Sequence, residues 1–194
     1  MKVKDLLIEI SDRQEIKNFV EQNHYSKSIN GVKSSHCFSI KHDDKLVGAI
    51  IYGQMSTTAW KKFSDKESDV IELRRLVLID ECPRNSESRV IGQSLRWIKK
   101  HDKKLKLVVS YADPNYGHTG VIYRASNFKL IGMSGKDNGF QDIETGKLYH
   151  SRALRTKYKG EFKPFVKRLR EKLEKGILIP ISLKPKYCYV YSLL

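Results

Sequence analysis

The amino-acid sequence predicts an α/β (α+β) fold, and three observations predict it. Residues 106–133 (KLVVSYADPNYGHTGVIYRASNFKLIGM) read as strand, polar loop, short helix and strand. Residues 36–41 (HCFSIK) and 46–53 (LVGAIIYG) flank a His-Asp-Asp-Lys turn, the pattern of an antiparallel hairpin. Residues 70–79 (VIELRRLVLI) form a long, mostly apolar run, the expected centre of a sheet, and a helical pattern follows.

The remaining elements fall between these. Residues 3–10 alternate enough for a first strand. Ser11 and Asp12 precede Gln14 and Glu15 at capping-box spacing, and Ile16, Phe19 and Val20 give the apolar face of a first helix. That helix ends near the polar segment 23–27, where His24 can serve as base, ligand, nucleic-acid contact or plain surface residue. Trp60, Lys61, Lys62 and Phe63 interleave bases with aromatics, which suits either nucleic-acid contact or a loop anchored by its rings. Asn85 or Ser86 caps the helix carrying Val90, Ile91, Leu95 and Ile98. Arg84, Asn85, Ser86, Ser88 and Arg89 make its start a candidate anion site, against the plainer reading of a capped helix with solvated arginines. Thr119 is the expected cap of the short helix bearing Tyr123. A strand is expected over 148–154 and an amphipathic helix over 161–175, with Phe162, Phe165, Val166, Leu169 and Leu173 on one stripe and Pro164 in its first turn. The final KPKYCYVYSLL reads as a last strand or a tail packing its tyrosines.

Composition narrows the function classes. Of 194 residues, 37 are Lys or Arg and 22 Asp or Glu, a net charge of +15 that suits a polyanionic partner such as nucleic acid. Residues 147–186 hold 13 Lys or Arg against 3 Glu, which makes the C-terminal region the expected phosphate-binding face, with Lys167, Arg168 and Lys172 its chosen contacts. Three cysteines without CxxC spacing argue against a disulfide framework and a cysteine zinc site. A quickly charged N-terminus and the lack of an 18-residue apolar run argue against a signal peptide or membrane span, so a cytoplasmic location is expected. One domain is expected, with 1–158 as its catalytic part and 159–194 as a basic C-terminal helix and tail packed on the same domain. A homodimer is one option for the oligomeric state.

The loop after residue 110 is the chemically densest stretch, with Tyr111, Asp113, Asn115, Tyr116, His118 and then Tyr123. Loops at the carboxyl ends of strands are common ligand sites. The plainer reading is ordinary Asp-Pro-Asn turn chemistry with half-buried tyrosines.

The order of elements resembles the GNAT acyltransferase fold. Narrower motifs are His24-Tyr25, Leu73-Arg74-Arg75-Leu76, residues 83–89, Ser110-Tyr111-Ala112-Asp113-Pro114, and residues 117–123 with Ala125-Ser126-Asn127-Phe128. Together, over roughly residues 20–155, they resemble the Mom family of phage DNA adenine-modification proteins. The resemblance implies a mixed, mostly antiparallel twisted sheet flanked by helices, whose fifth strand splays to admit a donor. It implies a transferase acting on the exocyclic N6 amine of adenine in DNA, protecting that DNA from host restriction. An acyl-CoA, or another activated acyl or aminoacyl donor, would face Arg84, Asn85, Ser86, Ser88 and Arg89. The glycine pair of the usual GNAT pyrophosphate loop is missing there.

On this reading Asp113, with His24 or His118, orients and deprotonates the amine, and Tyr25 belongs with His24. Tyr123 acts as acid on the donor side. Tyr111 and Tyr116 stack on a flipped base, and Trp60, Lys61 and Lys62 join the nucleic-acid contacts. His24, Asp113 and His118 are alternatively an iron or manganese ligand set. Two other classes stay open: an N-acyltransferase or aminoacyl-transferase for a protein or small amine, and a non-enzymatic DNA-binding protein on the same scaffold.

Overall fold

The computed structural model describes residues 1–56 and 58–194. β1 (Leu7–Ser11) starts later than expected, because Val3–Asp5 turns as a 3-10 helix whose entry amide, that of Lys2, donates to Asp5 at 3.2 Å. α1 (Arg13–Asn23) begins at Asp12, where the Glu15 carboxylate reaches back to the Asp12 amide at 3.2 Å. β2 (Ser34–His42) and β3 (Lys45–Gly53) form the expected hairpin, closed by Asp43 and Asp44 at φ 48° and 59°. Two consecutive left-handed residues match the right-handed twist of the strands they join.

β4 (Val70–Leu78), α2 (Ser86–His101), β5 (Leu107–Ala112), α3 (Val121–Ala125) and β6 (Lys129–Met133) follow. Beyond them the chain runs β7 (Asp137–Asp142), β8 (Leu148–His150), β9 (Lys157–Tyr158), β10 (Glu161–Phe162), α4 (Pro164–Glu174), β11 (Leu178–Leu183) and β12 (Tyr187–Ser192). The seven-stranded sheet has the order β1-β2-β3-β4-β5-β12-β6, with β4 and β5 parallel and the chain from β1 to β4 antiparallel. The predicted mixed, mostly antiparallel α/β class is the one observed.

The chain divides into two compact units. One comprises Met1–Ala112, Gly120–Gly132 and Cys188–Leu194; the other comprises Asp113–Thr119 and Met133–Tyr187. The last strand joins the large sheet, while β7, β8 and β11 pair among themselves in the order β11-β7-β8.

In the first unit, Ile16 and Val20 of α1 pack with Cys37, Ala49, Ile51 and Val77 of the sheet. Val90, Ile91, Leu95 and Ile98 of α2 are also buried, and Tyr52 meets Ser94 of that helix, hydroxyl to hydroxyl, at 2.7 Å. In the second unit, Leu154, Leu169 and Leu178 form the core. Its elements differ most from expectation. Residues 151–155 turn as a 3-10 helix after the three-residue β8, so the strand expected over 148–154 is short. α4 starts at Pro164, a residue suited to the first helical position, because Phe162 is held in the β9–β10 hairpin. Val166 and Leu169 are buried, but Phe165 and Leu173 are 40% and 36% exposed, so the apolar stripe is narrower than the sequence suggests.

Candidate active site

The site in the first unit is made by two strands parting. β4 and β5 are in parallel register only from Val70↔Leu107 to Leu73↔Ser110. Beyond that point β4 continues beside β3 as far as Leu78, and β5 continues through Tyr111 and Ala112. Residues 74–78 of β4 thus lie beyond the register shared with β5. The departure coincides with a β-bulge: Leu73 faces Tyr52 and Arg75 faces Ile51, so Arg74 has no residue opposite. A bulge re-aims side chains and is common beside active sites.

Charge collects at this point of an otherwise apolar strand. Arg74 donates to Glu72 at 2.9 Å and to the Gln54 carbonyl at 3.4 Å. Its Nε is buried with no hydrogen-bond partner among the described residues, an uncommon arrangement that a ligand carbonyl or anion would satisfy. Arg75 turns the other way, donating to the Ser28 and Arg74 carbonyls at 3.2 and 2.7 Å. Glu72, Arg74 and Arg75 were not among the expected site residues. Their signal was present as three charges inside a strand long and apolar enough to be a sheet centre.

Tyr123 stands at the same place. It is 8% exposed, and its hydroxyl is hydrogen-bonded to Ser110, which in turn donates to the Leu73 carbonyl at 3.3 Å. Burial first, then the charge of Glu72, pushes the Tyr123 phenol up, so it stays protonated at neutral pH. α3 starts at Gly120, not at Thr119, since the left-handed φ of 77° there is suited to glycine. A Cβ on Gly120 would lie 2.2 Å from the Tyr189 ring, so only glycine lets α3 begin this close to β12.

His24 ends α1, is 5% exposed and packs its ring, tilted by 33°, on that of Tyr25 with centroids 4.2 Å apart. Its Nδ1 accepts the Ser26 amide at 3.1 Å. A neutral ring so engaged carries its proton on Nε2 and can donate a hydrogen bond there. Tyr25 is exposed, and its hydroxyl's potential charge is felt by the Arg75 guanidinium.

The start of α2 is a mixed surface. Arg84, Asn85 and Arg89 are exposed. Asn85 caps by position, at φ 73°, without a side-chain cap bond. Ser86 is fully buried, and both its hydroxyl and its amide donate to the Pro83 carbonyl, so its side chain is not open to a donor. The Ser88 hydroxyl donates to the Asn85 carbonyl at 3.1 Å. What remains for an anion is the open amides of the first turn with Arg84, opposed by Glu87.

Two of the expected nucleic-acid contacts also pack against the core. Trp60 and Tyr111 are half-buried against Met55, Val70, Val109 and Cys188, and Tyr111 is hydrogen-bonded to Cys188. Both rings pack partly against the core, and the loop of Trp60 is anchored by its ring. Lys61 and Lys62 are exposed, the former 5.7 Å over the Trp60 ring.

The second unit holds the rest of the polar loop. Asp113 is 6% exposed and pairs with Lys186 at 2.7 Å. Its other oxygen accepts the Asn115 amide at 3.0 Å and side chain at 2.8 Å, fixing the 3-10 turn Pro114–Tyr116. Tyr116 and His118 are exposed on that loop. Lys172 is not a solvated phosphate contact: its ammonium is held by buried Asp142 at 2.7 Å and by Glu144 at 2.9 Å. Lys167 and Arg168 are exposed.

Burial pushes the Asp113 carboxyl up, but hydrogen bonds from Lys186 and Asn115 outweigh it and hold the group below its ordinary value. The hydrogen bond from Lys172, ahead of burial, holds Asp142 low as well. Groups depressed on folding stabilise the fold above the unfolded value, about 3.9. That stability is lost as pH falls below roughly 4. Lys186→Met raises the folded value of Asp113, so acid unfolding followed by circular dichroism should begin at higher pH. An unmoved acid midpoint would show that the pair contributes nothing.

Among the described residues, no group of three or more His, Cys, Asp or Glu gathers as metal ligands, so the set His24, Asp113 and His118 is not assembled. A separate cavity of about 450 Å³ lies at the start of β4, lined by residues including His36, Gln54, Glu67 and Asp102. None of the expected site residues lines it.

The profile of the Mom protein family matches residues 5–194. The methylcarbamoylase Mom of Escherichia phage Mu is 31% identical over 150 residues, covering 76% of this chain and 61% of that protein. The match thus spans less than two thirds of the phage Mu protein. Among solved structures, an N-acetyltransferase from Staphylococcus aureus Mu50 superposes with a TM-score of 0.54 at 13% identity, covering 97% of this chain and 99% of that one. The Bacillus subtilis acetyltransferase in complex with CoA gives 0.50 at 12%, with the same coverage. At such identities the likeness is one of fold, that of the GNAT acetyltransferases. Among the described residues, no helix is long and apolar enough to cross a membrane.

Proposed function

The chain belongs to the Mom protein family, and from that premise we propose that it is a transferase that places a small carbonyl-bearing group on the exocyclic N6 amine of adenine in DNA. The relative from phage Mu is named for methylcarbamoyl transfer, and the same group is the proposed cargo here. The modification would shield the DNA from host restriction, in the host cytoplasm.

The observation that carries the reading is the parting of β4 and β5 at Leu73 and Ser110, with Glu72, Arg74 and Tyr123 at the opening. An open strand edge offers backbone groups to an extended amide-bearing arm. The helix start at Ser86, with the exposed Arg84, offers amides and charge to phosphates. These features fit an acyl-CoA type of donor, which when bound would supply the activated carbonyl.

The chain's own residues would do the rest. Arg74 Nε, buried and unpartnered, hydrogen-bonds the carbonyl oxygen and stabilises its growing negative charge. Glu72 accepts the proton that the amine loses, a base being required because the adenine amine is a poor nucleophile. Tyr123, kept protonated, gives a hydrogen bond to the leaving group. His24 positions through its Nε2 proton, with Tyr25 beside it. Asp113 shapes the loop that presents Asn115, Tyr116 and His118. Lys61, Lys62, Lys167 and Arg168 neutralise phosphates.

The test is a plasmid co-expressed with the chain and challenged with restriction enzymes whose sites contain adenine. Resistance is expected. Complete cleavage, with the chain folded and abundant, would overturn the reading.

A further inference from the structure

The second unit carries a small hairpin that none of the roles above uses. β9 and β10 pair Tyr158 with Glu161 and Lys157 with Phe162. Lys159 and Gly160 turn between them at φ 48° and 84°. Alternation along the strands gives the hairpin two faces. On one face Phe162 is clamped between Arg170, 4.2 Å over its ring, and Lys157 at 5.0 Å. Arg170 also donates to the Leu154 carbonyl, and the Lys163 amide donates to the Thr156 carbonyl, both at 3.4 Å. This face anchors the hairpin.

The other face presents Tyr158, 65% exposed, more than any other tyrosine among the exposed large hydrophobics. An exposed aromatic at a hairpin tip adds nothing to a core. Around it the ammoniums of Lys159 and Lys163 lie 5.7 and 5.9 Å from its ring. From residue 152 to 170 there are eight Lys or Arg and one acidic residue, Glu161. An exposed ring framed by lysines is the pairing that nucleic-acid surfaces use, with cations for phosphates and a ring for a base.

We infer that the β9–β10 hairpin is a DNA-contacting element: Lys159 and Lys163 contact backbone phosphates, and Tyr158 stacks on a base. The inference rests on the proposal that DNA is the substrate. A ring stacked on a base stabilises a locally opened duplex. Lysine–ring contacts at an exposed site are weak, so an incoming base can displace them.

The full chain is titrated with a duplex containing 2-aminopurine in place of adenine, reading affinity by anisotropy and unstacking by fluorescence. The wild type should bind with a steep salt dependence and raise the fluorescence. Tyr158→Ala should keep its melting temperature, lose the fluorescence rise and bind about tenfold more weakly; Tyr158→Phe should restore both. The combined change of Lys159 and Lys163 to Gln should flatten the log–log salt slope by about two. If the wild type binds and modifies DNA while these variants behave as wild type, the hairpin assignment is wrong and the proposed function stands. Tighter binding to single-stranded RNA of the same sequence overturns the assignment to DNA. No binding of wild type to either nucleic acid overturns the assignment and the substrate proposal together.

Discussion

Gly120→Ala should be among the most damaging single-methyl changes in the chain. Gly120 sits at φ 77°, where a Cβ costs about 1–2 kcal/mol in backbone strain. The added Cβ would also lie 2.2 Å from a Tyr189 ring that cannot move aside: Tyr189 is fully buried and its hydroxyl accepts from Arg124 at 2.7 Å. Overpacking of this kind costs a further 1–3 kcal/mol, so roughly 2–5 kcal/mol in all. A fall of the melting temperature on the order of 10 °C follows for a chain of this size. Gly117→Ala is the control. Its φ is 78°, but nothing lies within 4 Å of a Cβ there, so only the backbone strain applies. Equal melting temperatures for the two variants would show that the contact between Gly120 and Tyr189 is not tight. Gly120 opens the helix that bears Tyr123, so activity should fall further than stability in any fraction that stays folded.

Glu72→Gln should have the largest effect on chemistry. The amide keeps the size of the side chain and an oxygen that can accept from Arg74, so the bulge should survive. It removes the charge and the ability to take a proton. General bases contribute about a hundredfold or more, so modification should drop by at least about that factor. DNA affinity and melting temperature should stay close to wild type. Tyr123→Phe should cost less, because its hydroxyl is a hydrogen-bond donor whose acidity burial has weakened. If Glu72→Gln modifies DNA at the normal rate, the carboxylate only holds Arg74 and the base lies elsewhere.

Much of the fold was legible because local rules agreed with the final structure. The Glu15 return bond to Asp12, the Asp43–Asp44 turn and the apolar run from Val70 each sit where capping, turn and periodicity rules put them. What was not legible depends on pairing between distant segments. β7 reads DNGFQD, a composition poor in strand formers, and becomes a strand through its partners β8 and β11. Nothing local says that residues 187–192 return to the large sheet between β5 and β6. The site shows the same division. Tyr123 was marked by motif, and the structure puts it in a buried, hydrogen-bonded position at the strand opening. Glu72 and Arg74 were hidden because a bulge decides which way they point, and a bulge is a matter of register with β3. Asp113 attracted attention as a carboxylate in a dense loop, whereas its oxygens are engaged by Asn115 and Lys186. Lys172 counted toward a basic face, yet its charge is spent on Asp142 and Glu144.

The most direct measurement is mass spectrometry of nucleosides from plasmid DNA, prepared from cells making the wild-type chain and from cells making Glu72→Gln. The account predicts a deoxyadenosine derivative heavier by the transferred group in the first sample, with the addition on the exocyclic nitrogen, and its near-absence in the second. Four ordinary nucleosides in both samples, from cells holding the folded wild-type chain, would contradict it.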